Sequence, residues 1–405
     1  MSATVPTPTT SPARPRALVS YAHADGVDSV DRLAQELRLR GVTVTRDIDD
    51  FRAGQPLGGE MAEAIEADLV LAHLGPGALE SEAVMQRELG PALRHFARTG
   101  SPVVVLVPHG IGDTRTEVDA TLAGRLPYSA QATWAPAPEM AGEALGHDSA
   151  AQVAQAALHS LYAPGRGGAR ESWGVSLLTR GASRHGDGLV LDATALVGGP
   201  VRRPGDQADW ARVKRAIDEL AVTLGAHSTT RKITLTANAH ATGGLLFGLA
   251  FNRPACWELR LTGPVGDCLA STSRTPEGLI ELRVDGPPTD RKLFIGIDLA
   301  TRQVAAGIDR LCAEQGARPG TQIVFERENN REDLAPRQIS DAAAAISARI
   351  KAIVDERAPE RIDLFVAAPS ALPVLLGAEM ATVGLPIGLW EHDGTRYVHT
   401  LDVTP

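Results

Sequence analysis

The chain lacks most of what would mark a secreted, membrane-bound or metal-centred protein. Its 405 residues include only three cysteines, Cys256, Cys268 and Cys312, widely spaced and odd in number. That excludes a disulfide framework and a cysteine zinc site, and it fits reduced thiols in a cytoplasmic protein. No apolar run approaches the roughly 18 residues that span a bilayer, so no membrane partner is expected. Residues 1–15, MSATVPTPTTSPARP, have no hydrophobic h-region and read as a disordered tail, not a signal peptide. The eleven histidines show no ligand spacing, so no metal is expected either. Positive charge is also short: the formal net charge is −9. A general nucleic-acid binder needs a basic face to release counterions, so a nucleic-acid polymer is excluded as a partner. A small anionic ligand is not, because a few local donors suffice for it.

What is present is globular. Apolar residues make up 43% and charged residues 22%, and the length allows two sizeable cores. In the first part, over 16–163, apolar strands alternate with helical segments. RALVSYAHAD is a strand ending in polar residues. VDSVDRLAQELRLRG places Val30, Leu33, Leu37 and Leu39 near one helical face before Gly41 stops the helix. VTVTRDI alternates, DDFRAGQPLGG is a punctuated loop, and DLVLAHLG and PVVVLVPHG are buried strands. This alternation implies an α/β fold with a parallel sheet, whose ligands sit beyond the carboxyl ends of the strands.

The segment ALESEAVMQREL (78–89) carries three glutamates near those ends. Ser81 is placed to cap a helix, so Glu82 falls in a first turn where the dipole alone accounts for it. Glu80 precedes the cap and reads as solvated. Glu88 lies four residues after Val84 and three after Met85, on the flank of the apolar side. That makes it the strongest candidate for a catalytic carboxylate.

Three stretches in order, VSYAHAD, GVTVTRDIDDFRAGQPL and ADLVLAHLGPGALESEAVMQREL, resemble the conserved boxes of TIR (Toll/interleukin-1 receptor-like) domains. The resemblance implies a flavodoxin-like parallel-sheet domain and places Glu88 on the family's catalytic glutamate. It implies NAD+ as substrate, not cofactor, cleaved to nicotinamide and ADP-ribose. The candidate substrate residues are Ser20 and Tyr21 at the first strand end, Asp47 and Asp49 at the second, and Phe51, Arg52 and Gly54 in the adjoining loop. Tyr21 reads equally as a packing residue. Asp47, Asp49 and Arg52 also read as solvated loop charges. The family's usual Trp-Cys before the glutamate is Val84-Met85 here. TIR domains include non-enzymatic adaptors as well as enzymes, and a fold does not choose between them.

APGRGGARES reads as a flexible linker, assigned to 164–173. The remainder, 174–405, repeats internally. ITLTANAHATGGLLFG (233–248) is similar to IDLFVAAPSALPVLLG (362–377) at a constant offset of 129. GLVLDATA (188–195) is similar to FIGIDLAT (294–301), and Trp257-Glu258 is matched to Trp390-Glu391 at an offset of 133. This implies two fused copies of one α/β unit, about 174–287 and 288–405, with a shared pocket expected where their strand ends meet.

This duplicated arrangement, clearest over 361–403, resembles the SAVED domain, a fusion of two Rossmann-like units of the CARF type that senses cyclic oligonucleotides. TIR and SAVED parts together resemble TIR-SAVED effectors of bacterial anti-phage defence (CBASS). The resemblance implies that a cyclic oligoadenylate, expected to be cyclic tri-adenylate, drives self-association into an oligomer or filament and thereby activates NAD+ cleavage. The candidate ligand residues are Thr194, Arg202, Arg203, Asn238, His240 and Thr242 in one half, and Thr301, Arg302, Pro369 and Ser370 in the other. Asn238 and Thr242 read equally as helix caps, His240 as a structural histidine, and Arg202 and Arg203 as solvated. Trp257 and Trp390 read as core. A ligand-gated scaffold without enzymatic activity is the alternative. A deoxyribosyltransferase-like enzyme ranks last, since nothing in it explains the second domain.

Overall fold

The computed structural model describes residues 14–46, 66–112, 114–126, 129, 132–134, 145–163, 170–181, 188–198, 205–263, 266–269, 278–284, 291–300, 303–316, 321–327 and 334–405. Asp47, Asp49, Phe51, Arg52, Gly54, Arg202, Arg203, Thr301 and Arg302 lie outside them, as do linker residues 164–169. The chain divides into two compact units, Met1–Arg170 with Leu189–Leu191, and Glu171–Gly188 with Asp192–Pro405.

In the first unit, strands β1 (Arg16–Ser20), β2 (Thr43–Arg46), β3 (Leu69–Leu74), β4 (Val103–Pro108) and β5 (Thr133–Trp134) form one sheet of order β2-β1-β3-β4-β5. Every pairing is parallel, as the alternation of strands and helices requires. Strands β3 and β4 are buried along their whole length, which is why LVLAHL and VVVLVP show no polar alternation. Val70, Ala72 and Leu74 face a core containing Val84, Met85, Leu89, Ala92 and Leu93. His73 lies on the opposite face. The helices of this unit are α1 (Val27–Leu39), α2 (Pro76–Glu80), α3 (Gly90–Thr99), α4 (Arg115–Ala123) and α5 (His147–Leu161).

Glu80 precedes the Ser81 cap and is exposed, as expected, and it ends the short helix α2, which sequence reading did not foresee. One correction concerns the turn after α2. Residues Ala83–Leu89 form a π-helical turn that runs directly into α3. Ser81 accepts the Val84 N–H at 3.3 Å, the bond of an N-cap, so the predicted start is right although the turn type is not.

The second unit holds β6 (Arg170–Leu178) from Glu171 onward, Asp192 of β7 (Leu189–Asp192), strands β8 to β16 and helices α6 to α11. Its first half continues through α6 (Thr194–Val197), α7 (Gln207–Ala226), β8 (Ser228–Asn238), α8 (Ala241–Ala250), β9 (Glu258–Gly263) and β10 (Gly266–Leu269). β8 lies between β6 and β9, and β10 folds back on β9. The second half runs through β11 (Leu279–Val284), β12 (Lys292–Asp298), α9 (Val304–Glu314), β13 (Thr321–Arg327), α10 (Pro336–Arg357), β14 (Arg361–Ala367), α11 (Ala371–Met380), β15 (Ile387–His392) and β16 (Tyr397–Val403). Its sheet order is β11-β13-β12-β14-β15-β16, parallel except at the two edge strands.

The repeat at offset 129 becomes β8 with α8 and β14 with α11. Both helices are apolar on all sides, which suits elements buried between two halves. They cross at glycine. A Cβ on Gly248 would lie 2.0 Å from the Val374 carbonyl oxygen, and one on Gly377 would lie 2.4 Å from that of Leu245. The two contacts exchange under the same 129-residue offset, so the crossing is a local pseudo-twofold.

Two other expected equivalences fail. β6, not β7, lies beside β8 as β12 lies beside β14, so GLVLDATA is not the counterpart of FIGIDLAT. Glu258 opens β9 and is exposed, whereas Glu391 sits near the end of β15 and is buried. By sheet register Glu391 matches Gly263, because Leu235 pairs with Leu261 and its repeat counterpart Leu364 pairs with Leu389. The paired Trp-Glu motif misled because two letters recurred in different registers. Both tryptophans are nonetheless in packed aromatic clusters: Trp257 lies against Phe251 at 5.0 Å and Trp390 is stacked on Phe365 at 5.4 Å.

Candidate functional sites

Of the first unit's candidate residues, Ser20, Tyr21 and Glu88 are among those described. Ser20 ends β1; its hydroxyl is buried without a hydrogen-bond partner among the described residues. Tyr21 comes next, buried, with its ring edge-on to His23 at 5.4 Å. Glu88 is 7% exposed and lies in the π turn, which packs against β1. Glu88 lies four residues after Val84 and three after Met85, both in the core. Glu82 is exposed and within 3.6 Å of Arg87, a surface pair of little energetic weight.

Asp25 was not singled out by sequence reasoning. Its carboxylate accepts the N–H groups of Gly77 (2.7 Å) and Ala78 (2.6 Å), capping α2 from another element. Side chains at Gly75 or Gly77 would overlap this carboxyl group, which explains the glycines in HLGPGAL. His73 was also missed. It is fully buried, neither ring nitrogen has a hydrogen-bond partner among the described residues, and the His109 ring lies 5.1 Å away. Burial, helped by His109, lowers its pKa to about 4, so it is neutral at pH 7.

In the second unit the halves enclose a cavity of about 520 Å³. From the first half come Arg180, just after β6, and His240 at the start of α8; from the second come Gln303, Ser370, Glu391 and Tyr397. The amino ends of α8, α9 and α11 therefore all border it, and Ala239, Ala241, Ala367 and Ala368 keep backbone accessible. Arg180 is exposed there and makes no ion pair among the described residues.

His240 and Ser370 are the two predicted ligand residues that line this cavity. Ser370 donates to the Ala237 carbonyl at 3.1 Å. The Thr179 hydroxyl accepts the His240 backbone N–H (2.6 Å) and lies 2.9 Å from Nδ1. Burial, with Arg180 nearby, lowers the His240 pKa to about 4.

The predicted capping roles fail: Asn238 donates to the Arg180 carbonyl, and Thr242 pairs with the Thr400 hydroxyl at 3.0 Å. Thr194 bonds Asp192 at 2.6 Å. Among the described residues no group of three or more His, Cys, Asp or Glu could hold a metal, and no helix is long and apolar enough to cross a membrane.

Residues 18–136 match the TIR domain family. The chain carries a TIR domain. No curated protein matches it in sequence. Among solved structures, it resembles the Acinetobacter baumannii Cap4 SAVED/CARF-domain containing receptor with the cyclic trinucleotide 3'3'3'-cAAA. That match has 11% identity and a TM-score of 0.50, over 93% of this chain and 98% of the receptor. The same receptor with 2'3'3'-cAAA matches at 11% identity and a TM-score of 0.51, over 96% and 89%. The architecture is thus a TIR domain followed by a SAVED/CARF fold.

Proposed function

We propose that this TIR-SAVED chain is an anti-phage effector of the CBASS type, acting in the cytoplasm. In this reading a cyclic oligoadenylate, cyclic tri-adenylate first, fills the second unit's cavity and drives self-association, and the TIR domain then cleaves NAD+ to nicotinamide and ADP-ribose. The observation that carries the sensing half is the cavity itself, bordered by the amino end of α11, which bears no carboxylate among the described residues, and by the exposed Arg180. Such a wall favours a ligand bearing phosphate. The fold shared with structures holding a cyclic trinucleotide supports the same reading.

The catalytic half rests on Glu88. Nicotinamide leaves NAD+ as a neutral group, so no general acid is needed. What is needed is negative charge beside an oxocarbenium-like ribose. The buried Glu88 carboxylate supports this reading, as does the π turn that carries it packing against β1.

The test is NAD+ loss measured against a panel of cyclic di-, tri- and tetranucleotides, for wild type and Glu88→Gln. Turnover should require a cyclic trinucleotide, and Glu88→Gln should lower it by about 100-fold or more. Unstimulated turnover as fast as stimulated would sink the gating. One observation favours a non-enzymatic scaffold: Val84 and Met85, replacing the family's Trp-Cys, are wholly absorbed in the core. That reading expects unchanged NAD+ and no effect of Glu88→Gln on partner recruitment.

A further inference from the structure

The cavity of the second unit contains a carboxylate where a phosphate-binding wall would ordinarily have none. Glu391, 4% exposed, lies in its lining. Its Oε1 accepts the Thr242 N–H at 2.6 Å, and the Ala241 N–H bonds it as well. The amino end of α8 is therefore already occupied by an anion from β15. At the pseudo-equivalent register position in the first half stands Gly263, which has no side chain. The cavity is consequently polarised. The amino end of α11 carries no such carboxylate among the described residues, whereas the α8 end presents one that repels a phosphate or a carbonyl oxygen.

A carboxylate offers about four acceptor sites, so the helix N–H groups leave capacity for a ligand donor. Beside it in the same wall is His240, whose Nδ1 lies 2.9 Å from the Thr179 hydroxyl. An acceptor at this point suits one feature of a base edge. Adenine presents the N6 amino group there as a donor, whereas a 6-oxo purine presents an acceptor.

We propose that Glu391 is the base-reading residue of this cavity, accepting a hydrogen bond from the 6-amino group of an adenine and rejecting 6-oxo purines. The inference rests on the nucleotide-sensing reading of the cavity and adds its selectivity. Burial raises the Glu391 pKa, and the Thr242 N–H and the charge of Arg180 in the same lining act against that rise.

The experiment is calorimetric titration of the full chain with cyclic tri-adenylate and with cyclic tri-inosinate, its 6-oxo counterpart. Wild type should bind the adenylate roughly 5- to 150-fold more tightly, the range of one good base contact. In the isosteric Glu391→Gln the amide oxygen can keep a helix N–H while its NH2 turns to the ligand. The ratio should then collapse to near unity or invert. Equal affinities in wild type would overturn the inference without any variant and would leave the sensing reading standing. An unchanged ratio in Glu391→Gln would overturn it too. If wild type binds neither ring, this inference and the sensing reading both fall.

Discussion

At the scale of single residues, position relative to a strand end decides more than residue type. Glu80, Glu82 and Glu88 lie within nine residues, yet only Glu88 is buried. That much was legible from its spacing to Val84 and Met85. Asp25 and His73 were not, because their partners lie 52 and 36 positions away in sequence and no local pattern announces them. Arg180 was missed for a related reason: LLTRGAS reads as an ordinary turn until its neighbours across the cavity are known. Its prediction rests on exposure and on the absence of an ion pair among the described residues. Arg180→Ala should weaken cyclic trinucleotide binding by about tenfold or more, while shifting stability by under about 0.5 kcal/mol. Titration calorimetry and thermal melting of the same sample check both halves of that statement.

At the scale of elements, the strands were the most legible. Buried parallel strands read as uninterrupted apolar runs, and LVLAHL and VVVLVP appear where such runs stand. The offset-129 repeat likewise announced two matching strand–helix units. The π turn was not legible, since the same letters fit an α-helix and only packing selects the extra residue. Nor was the reason why both copies of the repeat end on glycine. At Gly248 and Gly377 each helix backbone occupies the volume a side chain would need. Gly377→Val should therefore force the halves apart and cost at least ~3 kcal/mol, read as the shift in denaturant midpoint. Substitution at Gly384, which has a positive φ but open space around it, should cost far less.

At the scale of the whole molecule, each unit buries one neutral imidazole, His73 in the first and His240 in the second. Both have folded pKa values near 4, below the 6.5 of an unconstrained histidine. Between those values the unfolded chain binds more protons than the folded one. The stability they contribute is thus complete above pH 6.5 and is lost as pH falls toward 4. Melting at pH 7.5 and pH 5.0 should show the decline. His73→Leu should flatten it for the first unit with no loss at pH 7.5, since the imidazole it removes has no hydrogen bond to lose among the described residues. A slope untouched by that change would refute the assignment.

The mismatch between Glu391 and Gly263 has one more consequence, a matter of counting. On the proposed reading, a cavity whose two halves differ at this point has a single place for the base it reads. A ring of three identical adenylates can present that base in three indistinguishable ways, and a ring containing one adenine in only one. Degeneracy alone then favours the uniform ring threefold, about 0.6 kcal/mol. The asymmetry of the cavity would thereby turn the symmetry of such a ring into affinity.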